Sequence, residues 1–265
     1  MRDTLDTSEL LNVAQQLADA AGESILPYFR TDALATENKL DGGFDPVTVA
    51  DRAAERAMRD LLENLRPQDG ILGEEFGNKD SQSGLTWVLD PIDGTRGFIS
   101  GTPTWGVLIA LSDENGPMMG VIAQPYIQER FVGGFGRAEV SGPHGTRPLA
   151  TKATRPLNEA ILFTTFPEVG SPEERAGFES VAQHAKLVRY GMDCYAYGLL
   201  AAGQVDLVIE AGLQPYDIQA PIAVIEAAGG VVTDWQGGPA HNGGRVVAAA
   251  NAELHVAALK HLSGV

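Results

Sequence analysis

Residues 87–95 read Trp87-Val88-Leu89-Asp90-Pro91-Ile92-Asp93-Gly94-Thr95 and say more about fold and function than any other segment. An apolar run ends in two carboxylates three residues apart, and glycine and threonine follow at once. A strand that delivers Asp90 and Asp93 at its carboxyl end, then turns through Gly94, presents several hard oxygen ligands at one point, as one or two Mg2+ ions require. Thr95 would open a helix, where free backbone N–H groups suit a phosphate. The alternative is that Asp-Pro and Asp-Gly are ordinary turn dipeptides.

The composition narrows the class of protein. The chain has 265 residues, of which 44% are hydrophobic, enough for a large core in one or two domains. Its net charge of −16 argues against nucleic acid as a partner, because phosphate backbones need clustered Lys and Arg. A single cysteine, Cys194, excludes an internal disulfide framework and a cysteine-based zinc cluster. The N-terminal residues lack an apolar signal region and no apolar run approaches the ~20 residues of a membrane helix, so we expect a cytoplasmic protein without membrane contact.

Apolar periodicity predicts two differently built halves. Helical stripes over residues 8–30 and 50–65 precede a series of strands, of which the later ones form an antiparallel meander. The segment from Gly136 to Pro156 is rich in turn residues and is the candidate boundary. Beyond it strands and helices alternate, which implies an α/β arrangement. We therefore expect one half over residues 1–140 and a second over residues 141–265.

Two further segments place acids after apolar strands. Glu74 and Glu75 follow a short predicted strand, and Glu210 ends another strand shortly before Asp217, which opens a helix. Taken singly, acids at a strand end are usually solvated, and Asp217 could be a helix N-cap. Taken together, three strand ends deliver carboxylates where an α/β sheet places its ligand site.

The motifs occur in an order and spacing that resembles a known family. They are Gly73-Glu74-Glu75, Asp90-Pro91-Ile92-Asp93-Gly94-Thr95, Tyr216-Asp217 and Glu226-Ala227-Ala228-Gly229-Gly230. From roughly Asp45 to Asp234 the chain resembles the inositol monophosphatase superfamily of Mg2+-dependent phosphatases, and Asp45 to Asp51 resembles its N-terminal signature. The resemblance implies an α/β (α+β) fold, the layered α-β-α-β-α sandwich of sugar phosphatases, with a larger antiparallel sheet in the first half and a smaller mixed sheet in the second. It also implies a homodimer and two to three Mg2+ ions per active site.

Carried over position by position, the resemblance assigns roles to individual residues. Metal ligands would be Glu74, Asp90, the carbonyl of Ile92, Asp93 and Asp217. Asp51 would steady a more weakly held ion. Glu74 and Thr95 would orient and deprotonate the attacking water, and Asp93 would complete the catalytic set. The backbone of Gly94 and Thr95 would bind phosphate oxygens, and Lys39 corresponds to a family lysine. Most metal ligands would thus lie in the first half, and substrate-recognition residues in the second.

The expected substrate follows from three local features. Residues 96–101, 189–197 and 212–218 resemble the histidinol-phosphate phosphatase branch more than the inositol branch, which implies hydrolysis of L-histidinol phosphate in histidine biosynthesis. This substrate carries an ammonium and an imidazole beyond its phosphate, so its pocket should offer carboxylates. Asp193 and Glu210 are the candidates. For Asp193 the alternative is a helix N-cap.

Other functions remain open at this point. Among small phosphate monoesters, inositol 1-phosphate is the runner-up substrate, followed by those of 3′-phosphoadenosine phosphatase and fructose-1,6-bisphosphatase. A degenerate family member acting as a binding or regulatory module is the non-enzymatic alternative. The intact set of Glu74, Asp90, Asp93, Thr95 and Asp217 argues against it.

Overall fold

The computed structural model describes residues 5–31, 36–38, 46–154 and 156–262. The helices in these residues are α1 (Thr7–Ile25), α2 (Val49–Leu65), α3 (Thr95–Ser100), α4 (Pro172–Ala182), α5 (Tyr195–Ala201), α6 (Pro215–Ala227) and α7 (Ala252–Leu262). The strands are β1 (Thr36–Asn38), β2 (Pro46–Thr48), β3 (Gly70–Gly73), β4 (Thr86–Asp93), β5 (Gly106–Asp113), β6 (Gly116–Gln124), β7 (Glu129–Gly134), β8 (Arg137–Gly142), β9 (Gly145–Pro148), β10 (Ile161–Thr164), β11 (Leu187–Tyr190), β12 (Leu207–Leu213), β13 (Val231–Asp234) and β14 (Gly244–Ala249). None of the helices described is long and apolar enough to cross a membrane.

The strands form two large sheets and a short hairpin. The larger sheet has seven strands in the order β3-β4-β5-β6-β7-β8-β9, and all neighbours are antiparallel except the parallel pair β3 and β4. The smaller sheet has five strands in the order β11-β10-β12-β14-β13. It is mixed, since β10 runs parallel to both its neighbours and β14 antiparallel to both of its own. Strands β1 and β2 pair with each other.

The alternating side chains of the larger sheet bury both of its faces. On β4 and β5, Trp87 and Ile109 point into a core shared with α1 and α2, whereas Val88 and Leu108 point into a second core shared with α5 and α6. The second core also takes the inner face of the smaller sheet, and α4 and α7 cover that sheet's outer face. The layers therefore run α-β-α-β-α, as predicted.

Helix α6 lies directly on the backbone of the larger sheet. Gly120 on β6 and Gly133 on β7 are register partners, and both face α6. A Cβ at Gly120 would lie 2.8 Å from Ala220 Cα, and one at Gly133 would lie 2.5 Å from the Ala223 carbonyl oxygen. Because neither glycine has a side chain, the α6 backbone approaches the sheet backbone more closely than a pair of larger residues would allow.

Two segments differ from the sequence-based expectation. The turn-rich segment from Gly136 to Pro156 contains β8 and β9, which extend the larger sheet to Pro148. All four residues of β9 are exposed, so the strand lacks the apolar alternation by which strands are recognised. The division at residues 140 and 141 stays a prediction. Helix α1 ends at Ile25 and not near residue 30, although Phe29 continues its apolar stripe.

We expect Gly133→Ala to lower the free energy of unfolding by about 2–3 kcal/mol, because the new methyl group overlaps the α6 backbone and a packed interior resists such insertion. Urea denaturation measures the change. Gly77→Ala is the matched control, since a Cβ there meets nothing within 4 Å. Equal stability of the two variants would contradict the close packing of α6.

Candidate active site

An irregularity in β4 brings Asp90 and Asp93 to the same place. Asp90 pairs with Leu108 and Asp93 with Gly106, so three steps along β4 match two along β5. In a regular strand, residues three apart point to opposite faces of the sheet. The bulge adds one residue to β4, so that Asp90 and Asp93 point to the same face. Pro91, which has no N–H to give the ladder, lies within it.

Gly94 then turns the chain from β4 into α3. Its φ of +84° is in the left-handed region, where glycine is favoured. A Cβ at Gly94 would lie 2.7 Å from Asp193 Cβ, so the position also requires a small residue for contact between the two halves. Thr95 begins α3, as predicted.

Asp217 reaches this point from the second half of the chain. Gln214 is the N-cap of α6, and the Gln214 N–H donates to Asp217 Oδ2 at 2.6 Å. Asp217 is therefore not the N-cap itself, but as the third residue of the helix it completes a capping box with Gln214. One carboxylate oxygen from each of Asp90, Asp93 and Asp217 lies within 4.8 Å of the others.

The chemistry of this carboxylate cluster fits a divalent cation. Burial raises the pKa of Asp90 well above its usual range, and the charges of Glu74, Asp93 and Asp217 raise it further. The pKa of Asp93 is raised by burial and then by Asp217. Asp90 Oδ1 is buried and has no hydrogen-bond partner among the residues that the structure describes. Crowded, desolvated oxygens of this kind are costly unless protonated or bound to cations, and an all-oxygen set suits Mg2+.

The loop that carries Glu74 is fixed by a buried acid that the sequence analysis missed. Glu55 on α2 accepts from the Glu75 N–H at 2.7 Å, the Phe76 N–H at 3.2 Å and Arg59 Nε at 2.8 Å. Its side chain is fully buried. Glu55 occurs, like Asp51, on the apolar stripe of α2 beside buried alanine and methionine, and that position was the signal that could have identified it.

Asp51 contacts the hydroxyl of Thr95. Asp51 Oδ2 accepts from the Thr48 N–H at 2.8 Å, which leaves Oδ1 facing Thr95 Oγ1 at 3.5 Å. Thr95 Oγ1 also lies 3.1 Å from the carbonyl oxygen of Ile92. Burial raises the pKa of Asp51 to about 6. The predicted residues of the first half therefore converge, except Lys39, which is outside the described residues.

Asp193 lies against Gly94, where β4 leads into α3. Its φ of +46° is unusual for a residue with a side chain, and Asp193 Oδ2 accepts from Thr104 Oγ1 at 3.0 Å. The N-cap of α5 is Cys194, so the alternative interpretation of Asp193 as the cap is wrong. The Cys194 N–H donates to Asp93 Oδ2 at 2.6 Å and so fixes the orientation of that carboxylate.

Glu210 and Asp193 line one cavity of about 420 Å³ together with some of the metal-ligand candidates. Its wall includes the carboxylates of Glu74, Asp93, Asp193, Glu210 and Asp217. Arg96 also lines the cavity, with its guanidinium carbon 4.8 Å from the ring centroid of Phe166. Burial raises the pKa of Glu210 to about 7. The cavity is thus strongly acidic, and Arg96 is the one cationic side chain among its described lining residues.

Known proteins have similar sequences. Residues 6–264 match the model of the inositol monophosphatase family. The chain is 42% identical to the bifunctional phosphatase IMPL2 of Arabidopsis thaliana, over 94% of this chain and 74% of that protein. It is 36% identical to a histidinol-phosphatase of Mycobacterium tuberculosis, over 96% of this chain and 97% of that protein.

A solved structure agrees with the sequence match. The structure of an inositol monophosphatase from Zymomonas mobilis is 38% identical, has a TM-score of 0.84, and is matched over 98% of this chain and 100% of that one. The resemblance inferred from the motifs is confirmed. The chain belongs to the inositol monophosphatase family, whose members are phosphatases that hydrolyse phosphoric monoesters.

Proposed function

We propose that this chain is a Mg2+-dependent phosphatase that hydrolyses L-histidinol phosphate to L-histidinol and phosphate. The observation that carries the proposal is a single acidic cavity that brings the metal-ligand candidates together with two further carboxylates. Asp93 and Asp217, which cluster with Asp90, line this cavity, and so do Asp193 and Glu210. The clustered oxygens suit a phosphate bound through cations, and the two further carboxylates suit a cationic leaving group.

The metal ligands in this proposal are Glu74, Asp90, the carbonyl of Ile92, Asp93 and Asp217, with Asp51 steadying a weaker site. Two to three Mg2+ ions would supply positive charge to the phosphate and acidity to the attacking water. The unpartnered Asp90 Oδ1 supports this assignment, because a buried carboxylate oxygen without a donor requires a cation or a proton.

Thr95 and Glu74 handle the proton of the attacking water. The Thr95 hydroxyl can donate toward the Ile92 carbonyl oxygen or toward Asp51, which turns its lone pairs toward the cavity. A lone pair held in that direction accepts a hydrogen bond from water and orients it for attack on phosphorus. The Glu74 carboxylate, also on the cavity wall, takes the proton.

The phosphate would bind where Gly94 leads into α3. Helix starts present backbone N–H groups that no carbonyl of the same helix accepts, and phosphate oxygens are suitable acceptors. The backbone of Gly94 and Thr95 therefore grips the phosphate, and Lys39 is proposed to add a positive charge. Gly94 and Thr95 both line the cavity.

The two carboxylates proposed to contact the leaving group favour histidinol over inositol. Ammonium and imidazolium groups gain charge-assisted hydrogen bonds from Asp193 and Glu210, whereas a neutral polyol gains weaker ones. The histidinol-phosphatase relative of Mycobacterium tuberculosis supports this choice. Inositol 1-phosphate is the second candidate, since the similar Zymomonas mobilis protein is an inositol monophosphatase.

The proposal also includes a homodimer and a cytoplasmic location. Light scattering of the purified protein tests whether it is a homodimer.

We expect Asp93→Asn to abolish nearly all phosphate release while the protein stays folded, because the change removes one charge from the centre of the carboxylate cluster. Phosphate release at saturating Mg2+ measures activity, and circular dichroism measures folding. Asp80→Asn, at an exposed position, is the control. EDTA should abolish wild-type turnover and added Mg2+ should restore it. A folded Asp93→Asn protein with wild-type rates would refute the assignment.

Thr95→Ala should lower kcat by ~10²-fold or more, as expected when a positioned proton-transfer group is lost. KM should change much less, because the remaining phosphate contacts persist. Thr95→Ser keeps the hydroxyl and should retain most of the activity. A rise in KM alone, with kcat unchanged, would assign Thr95 to binding.

Glu210→Gln should lower kcat/KM for L-histidinol phosphate by about 10- to 100-fold, the value of one hydrogen bond to a charged group. The amide keeps the shape of the side chain and loses its charge. An aryl phosphate without a cation should lose far less. Equal losses on the two substrates would show that Glu210 serves the fold or the metals. Faster wild-type turnover of inositol 1-phosphate than of histidinol phosphate would overturn the substrate and leave the phosphatase assignment in place.

A further inference from the structure

Glu210 is held by hydrogen bonds from two consecutive threonines. Thr165 donates twice to Glu210 Oε1, from its backbone N–H at 2.6 Å and from its hydroxyl at 2.9 Å. Thr164 donates from its hydroxyl to Oε2 at 3.1 Å. The contacts arise because β10 ends at Thr164, next to its parallel neighbour β12, which carries Glu210.

Three other buried acids of the described chain are held by cations, unlike Glu210. Glu55 is paired with Arg59 at 2.8 Å, Asp69 with Arg66 at 2.8 Å, and Asp206 with Lys152 at 3.4 Å. In each pair the cation neutralises the negative charge of the carboxylate. The three recorded donors to Glu210 are neutral groups, which fix the carboxylate but leave its charge uncancelled.

We propose that Thr165, assisted by Thr164, is a positioning residue that keeps Glu210 charged and aimed into the cavity, and so sets the enzyme's selectivity for its leaving group. The inference rests on the proposed function, which gives Glu210 its contact with the leaving group. Thr165 itself acts through Glu210 and not on the reacting atoms.

The need for such support follows from burial. Glu210 is only 7% exposed, and an ionised carboxylate without donors at such a place would take up a proton. Burial is the largest influence on its pKa and raises it, while the hydrogen bonds from Thr165 and Thr164 lower it. The charge of Asp193 raises the pKa further, and the phenol of Tyr197 lies near enough to sense the charge of Glu210. The threonine donors are therefore what favours the charged form.

Thr165 is also well placed to act on this one carboxylate. The next residue, Phe166, packs against Arg96 of α3, a contact of the segment after β10 that does not involve the Thr165 hydroxyl. Removing the Thr165 hydroxyl leaves the backbone N–H and the Phe166 contact in place. The loss would therefore fall on Glu210 and not on the position of the loop.

The test compares two substrates in matched variants. Thr165→Val has nearly the same shape and should lower kcat/KM for L-histidinol phosphate about ten-fold, the loss of one hydrogen bond to a charged group. An aryl phosphate without a cation should lose much less, so the ratio of the two values falls. Thr165→Ser should restore the ratio, and Thr164→Val should lower it in the same direction. Thr146→Val, at an exposed position of β9, is the control.

The pH profile separates this role from direct contact with substrate. Loss of a donor to the charged form raises the pKa of Glu210 above its present value of about 7. Since only the ionised carboxylate attracts a cation, the acidic limb of kcat/KM for histidinol phosphate should move to higher pH in Thr165→Val. The acidic limb for the aryl phosphate should stay in place.

The outcomes distinguish this inference from the proposed function. Equal losses on both substrates, an unmoved acidic limb, or failure of Thr165→Ser to restore the ratio would each overturn the positioning role. If the wild-type protein prefers inositol 1-phosphate, the proposed substrate fails. The role of Thr165 is then judged on the ratio of kcat/KM for inositol 1-phosphate to kcat/KM for the aryl phosphate, because polyol hydroxyls also donate to an ionised Glu210.

Discussion

The contact of α6 with the backbone of the larger sheet fixes the geometry of the molecule. Gly120 and Gly133 face each other across two strands and allow the helix to lie on the sheet without an intervening side chain. Asp217 is in the first turn of this helix, and Asp90 and Asp93 come from a strand of the same sheet. A shift of the helix by the width of a methyl group would separate carboxylates whose oxygens now lie within 4.8 Å. The site is therefore set by the backbone packing of α6 on the sheet as well as by its own polar contacts.

Apolar burial in three layers offsets the free energy that is needed to bring like charges together. Buried side chains fill the space outside each sheet and the space between the two sheets. Apolar burial of this extent contributes a stabilisation on the order of 10² kcal/mol to a domain, against which a few raised carboxyl pKa values are small. Local hydrogen bonds then orient the acids. The Cys194 N–H holds Asp93, the Gln214 N–H holds Asp217, and two threonines hold Glu210.

The layered fold was predicted from the family resemblance, whereas the convergence of the acids was predicted from local signals at three strand ends. The apolar run before Asp90 and the turn at Gly94 are visible without a structure, and so is the alternation of the second half. The β4 bulge is not visible, because it arises from the register with β5. Strand β9 is missed because nothing in it is buried, and α1 is predicted too long because Phe29 packs on Phe98 and Trp105 after the helix has ended.

The three tryptophans give each half of the molecule its own optical signal. Trp87 and Trp105 are fully buried in the core under α1 and α2, whereas Trp235 is fully buried under the outer face of the smaller sheet. Their fluorescence therefore reports on two separate regions, and replacing Trp235 by Phe isolates the first. The middle core joins both sheets through residues such as Phe131 and Val208, which couples the two regions. We expect the two emission changes to occur at the same urea concentration, as in a single cooperative unit.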